Sequence, residues 1–141
     1  MRAAVMRQGA ILVGEVPEPQ PGPGEVLVRT LACGICGSDL HVLQHTHRFA
    51  ADAGSDGPGA GIEPDRDLVM GHEFCAEILD YGPGAARKLA PGTRVCSMPV
   101  LIRPPALMSV GYSHEFPGGY GERMDRNSCL SLRSSLLSLK R

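Results

Sequence analysis

Several features that define large protein classes are missing from this chain of 141 residues. It has no tryptophan and only 4% aromatic residues, so a hydrophobic core must be mainly aliphatic. No stretch approaches the roughly 18 consecutive apolar residues of a membrane-spanning helix. The net charge of −1 offers no positive surface to nucleic acid or to an anionic membrane. These absences favour one small globular domain that binds neither nucleic acid nor membrane.

A secretion signal is also missing, because the first residues, MRAAVMRQGAILVGEV, hold no unbroken apolar run with a cleavage site after it. We therefore expect a cytoplasmic protein, in which thiols stay reduced. An odd cysteine count then favours metal ligands or core residues over a disulfide framework. The five cysteines are Cys33, Cys36, Cys75, Cys96 and Cys129.

Glycine and proline are abundant, with 18 and 12 residues, and they favour many turns and short strands over long helices. The pattern predicts a mainly β domain with short helices. Strands are expected at 3–6, 11–16, 25–32, 74–79 and 93–98, with a last one beginning at 118. A short helix at 40–43 would be capped by Ser38 or Asp39. The Gly-, Asp- and Pro-rich residues 50–67 are expected to form an exposed loop.

Two short segments hold the residues that could carry chemistry. Residues 33–41, CGICGSDLH, include Cys36, and residues 71–73, GHE, include His72 and Glu73. Thiolate, imidazole and carboxylate are the donors that zinc prefers, and a catalytic zinc has three protein ligands and one open position. Each segment alone is a weak signal. A CxxC could also belong to a structural zinc site or a redox pair, and a single histidine is more often structural.

The combination of segments is more specific. The order CGICGSDLH, GHEF, PGTRV and GGYGER closely resembles the zinc-dependent medium-chain alcohol dehydrogenase family over residues 1–124. The resemblance implies that these residues form the family's N-terminal GroES-like domain, a partly open β-barrel. Full-length members continue into a Rossmann domain. They oxidise an alcohol, or reduce an aldehyde or ketone, with zinc and NAD(P).

The resemblance implies one catalytic zinc ion. Cys36 and His72 match two zinc ligands, and Glu73 matches a carboxylate that lies close to the ion or binds it transiently. The family's third ligand normally lies well beyond residue 124 and is missing, so a site of reduced affinity is expected. No structural zinc is expected, because Cys96 stands alone where many members have four closely spaced cysteines.

The same resemblance implies three catalytic roles. Asp39 matches the carboxylate that hydrogen-bonds the ligand histidine, and Ser38 matches the hydroxyl that contacts the substrate oxygen and starts a proton relay. His41 matches a later relay member that passes the proton to solvent. The chain has no GxGxxG, so the Rossmann domain is expected to be absent and NAD(P) to bind only in full-length relatives.

As a truncated member, the chain is expected to be inactive alone. It should leave bare the apolar surface on which a second domain would pack. The partners implied are a small alcohol or aldehyde and the missing Rossmann domain, or further copies of the chain. The alternative function is a stand-alone GroES-like module that binds zinc or interacts with a separate Rossmann subunit.

Residues 125–141, DRNSCLSLRSSLLSLKR, differ from the rest of the chain because serine and leucine replace the glycine, proline, alanine and valine found upstream. Cys129, Leu132, Leu136 and Leu139 have helical spacing, which would suit an amphipathic terminal helix. The abrupt change of composition instead favours an atypical, non-native end, such as a shifted reading frame. Domain boundaries of 1–124 and 125–141 are therefore predicted.

Overall fold

The computed structural model describes residues 1–51, 62–96, 99–103, 106–125 and 137–138. Short strands dominate these residues, which confirms the prediction of a mainly β domain with short helices. The elements are β1 (Arg2–Arg7), β2 (Ala10–Glu15), β3 (Val26–Cys33), α1 (Gly37–Gln44), α2 (Thr46–Ala51), β4 (Leu68–Val69), β5 (Phe74–Tyr81), β6 (Arg94–Cys96), β7 (Val100–Arg103), β8 (Ala106–Ser109), β9 (Arg123–Asp125) and β10 (Leu137–Ser138).

The strands form three sheets that stay open among the described residues. Their strand orders are β2-β1-β4, β10-β6-β5-β3-β9 and β7-β8. The central pair of the largest sheet is β3 and β5, which run antiparallel from Val26 opposite Tyr81 to Cys33 opposite Phe74. This pairing brings the end of β3 beside the start of β5, and the candidate metal ligands follow β3 and precede β5.

The first hairpin forms where the sequence predicts it. Gln8 and Gly9 have φ values of 50° and 73°. They connect β1 and β2 with Arg7 opposite Ala10. Two residues with positive φ form a type I′ turn, whose twist matches that of paired strands. The two turn residues were therefore sufficient to predict the connection between β1 and β2.

The predicted cap of helix α1 was wrong. The helix begins at Gly37, and Cys36 is its N-cap residue. Asp39 instead occupies the third helical position, where its Oδ2 accepts the backbone N–H of Cys36 at 2.9 Å. A carboxylate at this position accepts a hydrogen bond from an amide that would otherwise lack a partner. It also interacts favourably with the positive end of the helix dipole.

Part of the region predicted as an exposed loop is ordered and buried. Helix α2 extends into this region as far as Ala51. Ile62 is only 2% exposed because it packs in a cluster with Met6. The remaining loop residues 52–61 lie outside the described residues. Composition alone could not show that an apolar side chain at the end of the loop returns to the core.

Two hydrophobic clusters hold the sheets and helices together. The larger lies on the five-stranded sheet and includes Val28, Ile78 and Met124. A second cluster, which we call the α1 cluster, packs helix α1 on the strands beside the candidate site. Its buried members are Met6, Val42, Ile62, Leu68, Met70 and Tyr112. No helix among the described residues has the length and apolar character needed to cross a membrane.

In the atypical tail, only 137–138 lie within the described residues, where β10 pairs with β6. Cys129, Leu132, Leu136 and Leu139 of the alternative terminal helix lie outside them. The boundary at residue 124 stays a prediction.

Candidate metal centre

The turn before His72 is held in place by close backbone contacts. Gly71 has a φ of +93°, and a Cβ at this position would lie 2.6 Å from Cδ1 of Tyr120 and 2.8 Å from Sγ of Cys33. Only glycine fits such a backbone without strain. The carbonyl of Gly71 accepts the N–H of Gly119 at 2.7 Å. The strand predicted to begin at residue 118 instead begins at Arg123, as β9.

Cys36, His72 and Glu73 meet at one place. One ligand atom from each lies within 4.8 Å of the others. The backbone connects the two segments as well, because the N–H of Gly34 donates to the carbonyl of Glu73 at 2.8 Å. Cys36 is half-buried, His72 is 8% exposed and Glu73 is exposed.

This donor set fits a zinc ion. A tetrahedral zinc with ligands at about 2.0–2.3 Å separates its donor atoms by roughly 3.3–3.8 Å. The three donors lie within 4.8 Å, so small rotations of their side chains would bring them into range. Thiolate, imidazole and carboxylate are all zinc ligands. With three protein donors, a fourth position stays open for a small molecule.

His72 is oriented by the first turn of helix α1. Its Nδ1 lies 3.3 Å from Oδ1 of Asp39, which is only 4% exposed. The distance is that of an ion pair, but the angle is not that of a hydrogen bond, and Nδ1 is a buried atom without a hydrogen-bond partner among the described residues. The other ring nitrogen, Nε2, lies 3.4 Å from Oγ of Ser38. A small rotation of the ring would let Nδ1–H donate to Asp39 and leave the Nε2 lone pair free for a metal ion.

Two tyrosines that the sequence did not single out as site residues complete the surroundings of Asp39. The hydroxyl of Tyr120 donates to Oδ2 at 3.0 Å, and that of Tyr112 lies 3.2 Å from Oδ1. Burial, followed by hydrogen bonding and the nearby Asp39 carboxylate, raises the pKa of Tyr120. Burial also raises the pKa of Tyr112. Both phenols therefore keep their protons at neutral pH and act as donors.

His41 lies apart from this network. Its exposed ring packs against His45 and Phe49, with ring centroids 4.6 and 5.7 Å away. Among the described residues, the hydrogen-bond partners of the Ser38 side chain are Tyr112 and His72. The structure thus brings Ser38 and Asp39 to the donor cluster and leaves His41 on the outer surface of the helix.

The remaining described cysteines form no disulfide with one another and lie outside the donor cluster. Cys75 and Cys96 lie opposite each other on β5 and β6. Burial, and secondarily the neighbouring Cys75, raises the pKa of Cys96.

Several large apolar side chains are exposed around β2, β3 and the start of α1. They are Ile11, Leu12, Val13, Leu31, Ile35 and Leu40. Val13 and Ile35 are 83% and 73% exposed. Leu12 points to the opposite side of β2 from Ile11 and Val13, because successive strand residues alternate, so we call the other five residues the apolar face. Soluble monomers rarely expose large contiguous apolar patches, so such a face indicates a contact surface.

Among proteins of known identity, similarity is found to dehydrogenases. The chain is 42% identical to L-threonine 3-dehydrogenase of Pyrococcus horikoshii over 76 residues, which cover 54% of this chain and 18% of that protein. It is 36% identical to sorbitol dehydrogenase of Gallus gallus over 103 residues, covering 73% of this chain and 26% of that protein. The chain therefore spans only about a fifth to a quarter of the length of these relatives.

Solved structures show the same fold. The alcohol dehydrogenase TADH from Thermus sp. ATN1 matches with a TM-score of 0.74 and 25% identity, covering 100% of this chain and 40% of that one. An NADP-bound dehydrogenase from Sinorhizobium meliloti 1021, assigned as zinc-binding, matches with a TM-score of 0.73 and 27% identity over 99% of this chain and 38% of its own.

The family model for the alcohol dehydrogenase GroES-like domain matches residues 22–127. This range contains both segments of the donor cluster, and the fold and the similar proteins agree with it. The family resemblance predicted from CGICGSDLH and GHEF is thereby confirmed. The chain belongs to the alcohol dehydrogenase GroES-like domain family.

Proposed function

We propose that this chain is the zinc-carrying catalytic domain of an NAD(P)-dependent alcohol dehydrogenase. The observation that carries the proposal is the meeting of Cys36, His72 and Glu73 within 4.8 Å beside a buried, multiply hydrogen-bonded Asp39. The threonine and sorbitol dehydrogenases similar to the chain support this reaction class. The substrate would be a small alcohol, or the corresponding aldehyde or ketone in reverse.

When bound, the zinc ion would supply Lewis acidity, which lowers the pKa of an alcohol. The residues of the chain then have separate tasks. Asp39 would hold the His72 proton on Nδ1, and Ser38 would accept the alcohol proton, because its Oγ lies 3.4 Å from the His72 nitrogen that faces the centre. His41, exposed on the same helix, would release the proton to solvent. Since Ser38 does not contact His41, a bridging hydroxyl is needed between them.

The hydride acceptor would come from outside these residues. NAD(P) binds mainly to a Rossmann domain, and the similar Sinorhizobium meliloti structure contains NADP. The apolar face, with Val13 and Ile35 largely exposed, would pack on that domain or on another copy. We expect the 141 residues alone to bind zinc weakly and to show no turnover. A cytoplasmic location, where the Cys36 thiol stays reduced, suits this function.

Zinc titration of the purified chain tests the proposal. We expect one zinc ion per chain, and at least tenfold weaker binding in Cys36→Ala and His72→Ala, because each variant removes one of only three donors. Cys33→Ala is the matched control, since Cys33 shares the CxxC but lies outside the donor cluster. Equal metal loss in Cys33→Ala and Cys36→Ala would refute the assigned ligand set, as would the absence of stoichiometric zinc binding.

A further inference from the structure

We infer that Tyr112 is a positioning residue, whose hydroxyl fixes the Ser38 hydroxyl next to His72. The inference rests on the proposed function for its meaning, because Ser38 is the group expected to take the alcohol proton. Tyr112 would act through Ser38, whose Oγ its hydroxyl contacts at 2.8 Å.

The Tyr112 ring is immobilised on the side away from the centre. It is 8% exposed and belongs to the α1 cluster with Met6, Val42 and Leu68. On its other side it lies against the His72 ring, with centroids 5.1 Å apart. Packing between apolar side chains and an imidazole restricts the orientation of the ring and thereby the position of its hydroxyl.

That point lies between the two functional groups of helix α1. The hydroxyl of Tyr112 donates to Oγ of Ser38 at 2.8 Å and lies 3.2 Å from Oδ1 of Asp39. A phenol has a single proton, and we assign it to the shorter contact, so the Ser38 oxygen is held by the hydroxyl of a buried ring. Serine would otherwise rotate among staggered χ1 rotamers on the first turn of the helix. With Oγ held by Tyr112, the hydroxyl stays 3.4 Å from Nε2 of His72.

Tyr120 provides the contrast that makes the inference testable. Its hydroxyl contacts Oδ2 of Asp39 at 3.0 Å and the carbonyl of Gly34 at 3.3 Å. The Tyr120 hydroxyl therefore stabilises the Asp39 carboxylate, whereas the Tyr112 hydroxyl holds Ser38. Removing the Tyr120 hydroxyl should loosen Asp39, and removing the Tyr112 hydroxyl should free Ser38.

The test compares Tyr112→Phe with Tyr120→Phe in the zinc-free chain by NMR. Each variant keeps its ring and so preserves the packing. We expect the Hα–Hβ couplings of Ser38 to report one χ1 rotamer in the parent chain and in Tyr120→Phe, and an average over rotamers in Tyr112→Phe. Unchanged Ser38 couplings in Tyr112→Phe would overturn the inference, as would equal averaging in both variants. Because the readout needs no metal, it stands even if zinc binding, and with it the proposed function, fails.

A second measurement covers the case in which Tyr112→Phe does not fold. Ser38→Ala removes the acceptor at the exposed start of the helix and leaves the α1 cluster intact. The resonance of the hydrogen-bonded Tyr112 hydroxyl proton should then shift, since the proton must move to Asp39. An unshifted resonance would show that the proton never went to Ser38 and would refute the inference. In the zinc-loaded chain, Tyr112→Phe should weaken binding by about tenfold, the lower end of the loss usual for groups around a metal ligand.

Discussion

Replacing Asp39 by asparagine should weaken the metal centre far more than the fold. The carboxylate is 4% exposed and surrounded by donors. On one side, Oδ2 accepts the backbone N–H of Cys36 at 2.9 Å and the hydroxyl of Tyr120 at 3.0 Å. On the other side, Oδ1 faces the Tyr112 hydroxyl at 3.2 Å and Nδ1 of His72 at 3.3 Å.

The orientation of the new amide follows from these contacts. The N–H of Cys36 cannot turn into an acceptor, so the amide oxygen must stay on that side and the NH₂ group must face His72. The Nδ1 atom must then accept a hydrogen bond, which moves the ring proton to Nε2. That tautomer removes the lone pair intended for zinc.

The expected loss of zinc affinity in Asp39→Asn is larger than the expected loss of folding stability. Loss of the carboxylate beside a ligand histidine costs about 10- to 100-fold in metal affinity, or about 1.4–2.8 kcal/mol. The fold should lose only about 1 kcal/mol, because the amide keeps most of the hydrogen bonds and replaces a charged acceptor by a neutral one. The two losses are therefore distinguishable.

Zinc affinity is measured by competition with a chromophoric chelator at pH 7, and stability by urea unfolding of the zinc-free chain. Asp65→Asn is the matched control, since its exposed Oδ1 accepts from Nε2 of Gln8 at 2.8 Å and Asp65 lies outside the donor cluster. The control should bind zinc like the parent chain. If Asp39→Asn folds and binds zinc within twofold of the parent, the assigned role of Asp39 is wrong.

Two further predictions concern the scaffold. The side-chain hydrogen bond from Arg7 to Asp67, 2.7 Å long, lowers the pKa of Asp67. The stabilisation by this ion pair should therefore be present above about pH 4, the ordinary pKa of aspartate, and be lost as the pH falls through the lower pKa of Asp67 in the folded chain. Between pH 7 and pH 3, the free energy of urea unfolding should fall less in Asp67→Asn than in the parent chain. An equal fall in both would contradict this. Gly71→Ala should cost about 1–3 kcal/mol in urea unfolding, because the added Cβ would lie 2.6 Å from the Tyr120 ring at a φ of +93°. Gly84→Ala, at φ +68° with nothing within 4 Å, isolates the backbone strain, so an equal loss in both would show that the overlap is irrelevant.

The family and the candidate zinc ligands could be predicted from the sequence because short local motifs carry both. CGICGSDLH and GHEF each place their ligands within a few residues, and alternation in 25–32 marked a strand that forms as Val26–Cys33. The tight turn at Gln8 and Gly9 likewise depends on the conformations of two adjacent residues. The 125–141 tail could be recognised as atypical by composition alone, and its origin stays a prediction.

Other features depend on contacts between distant parts of the chain. The sequence alone indicated the candidate zinc ligands, since thiolate, imidazole and carboxylate are properties of side chains. Only the tertiary structure decided what holds them: Tyr112 and Ser38 are 74 positions apart, and Tyr120 and Asp39 are 81 apart. It also left His41 outside the network and buried Ile62. Hydrogen bonds and packing over such separations depend on how the sheets and helix α1 assemble, and no local pattern of residues encodes them.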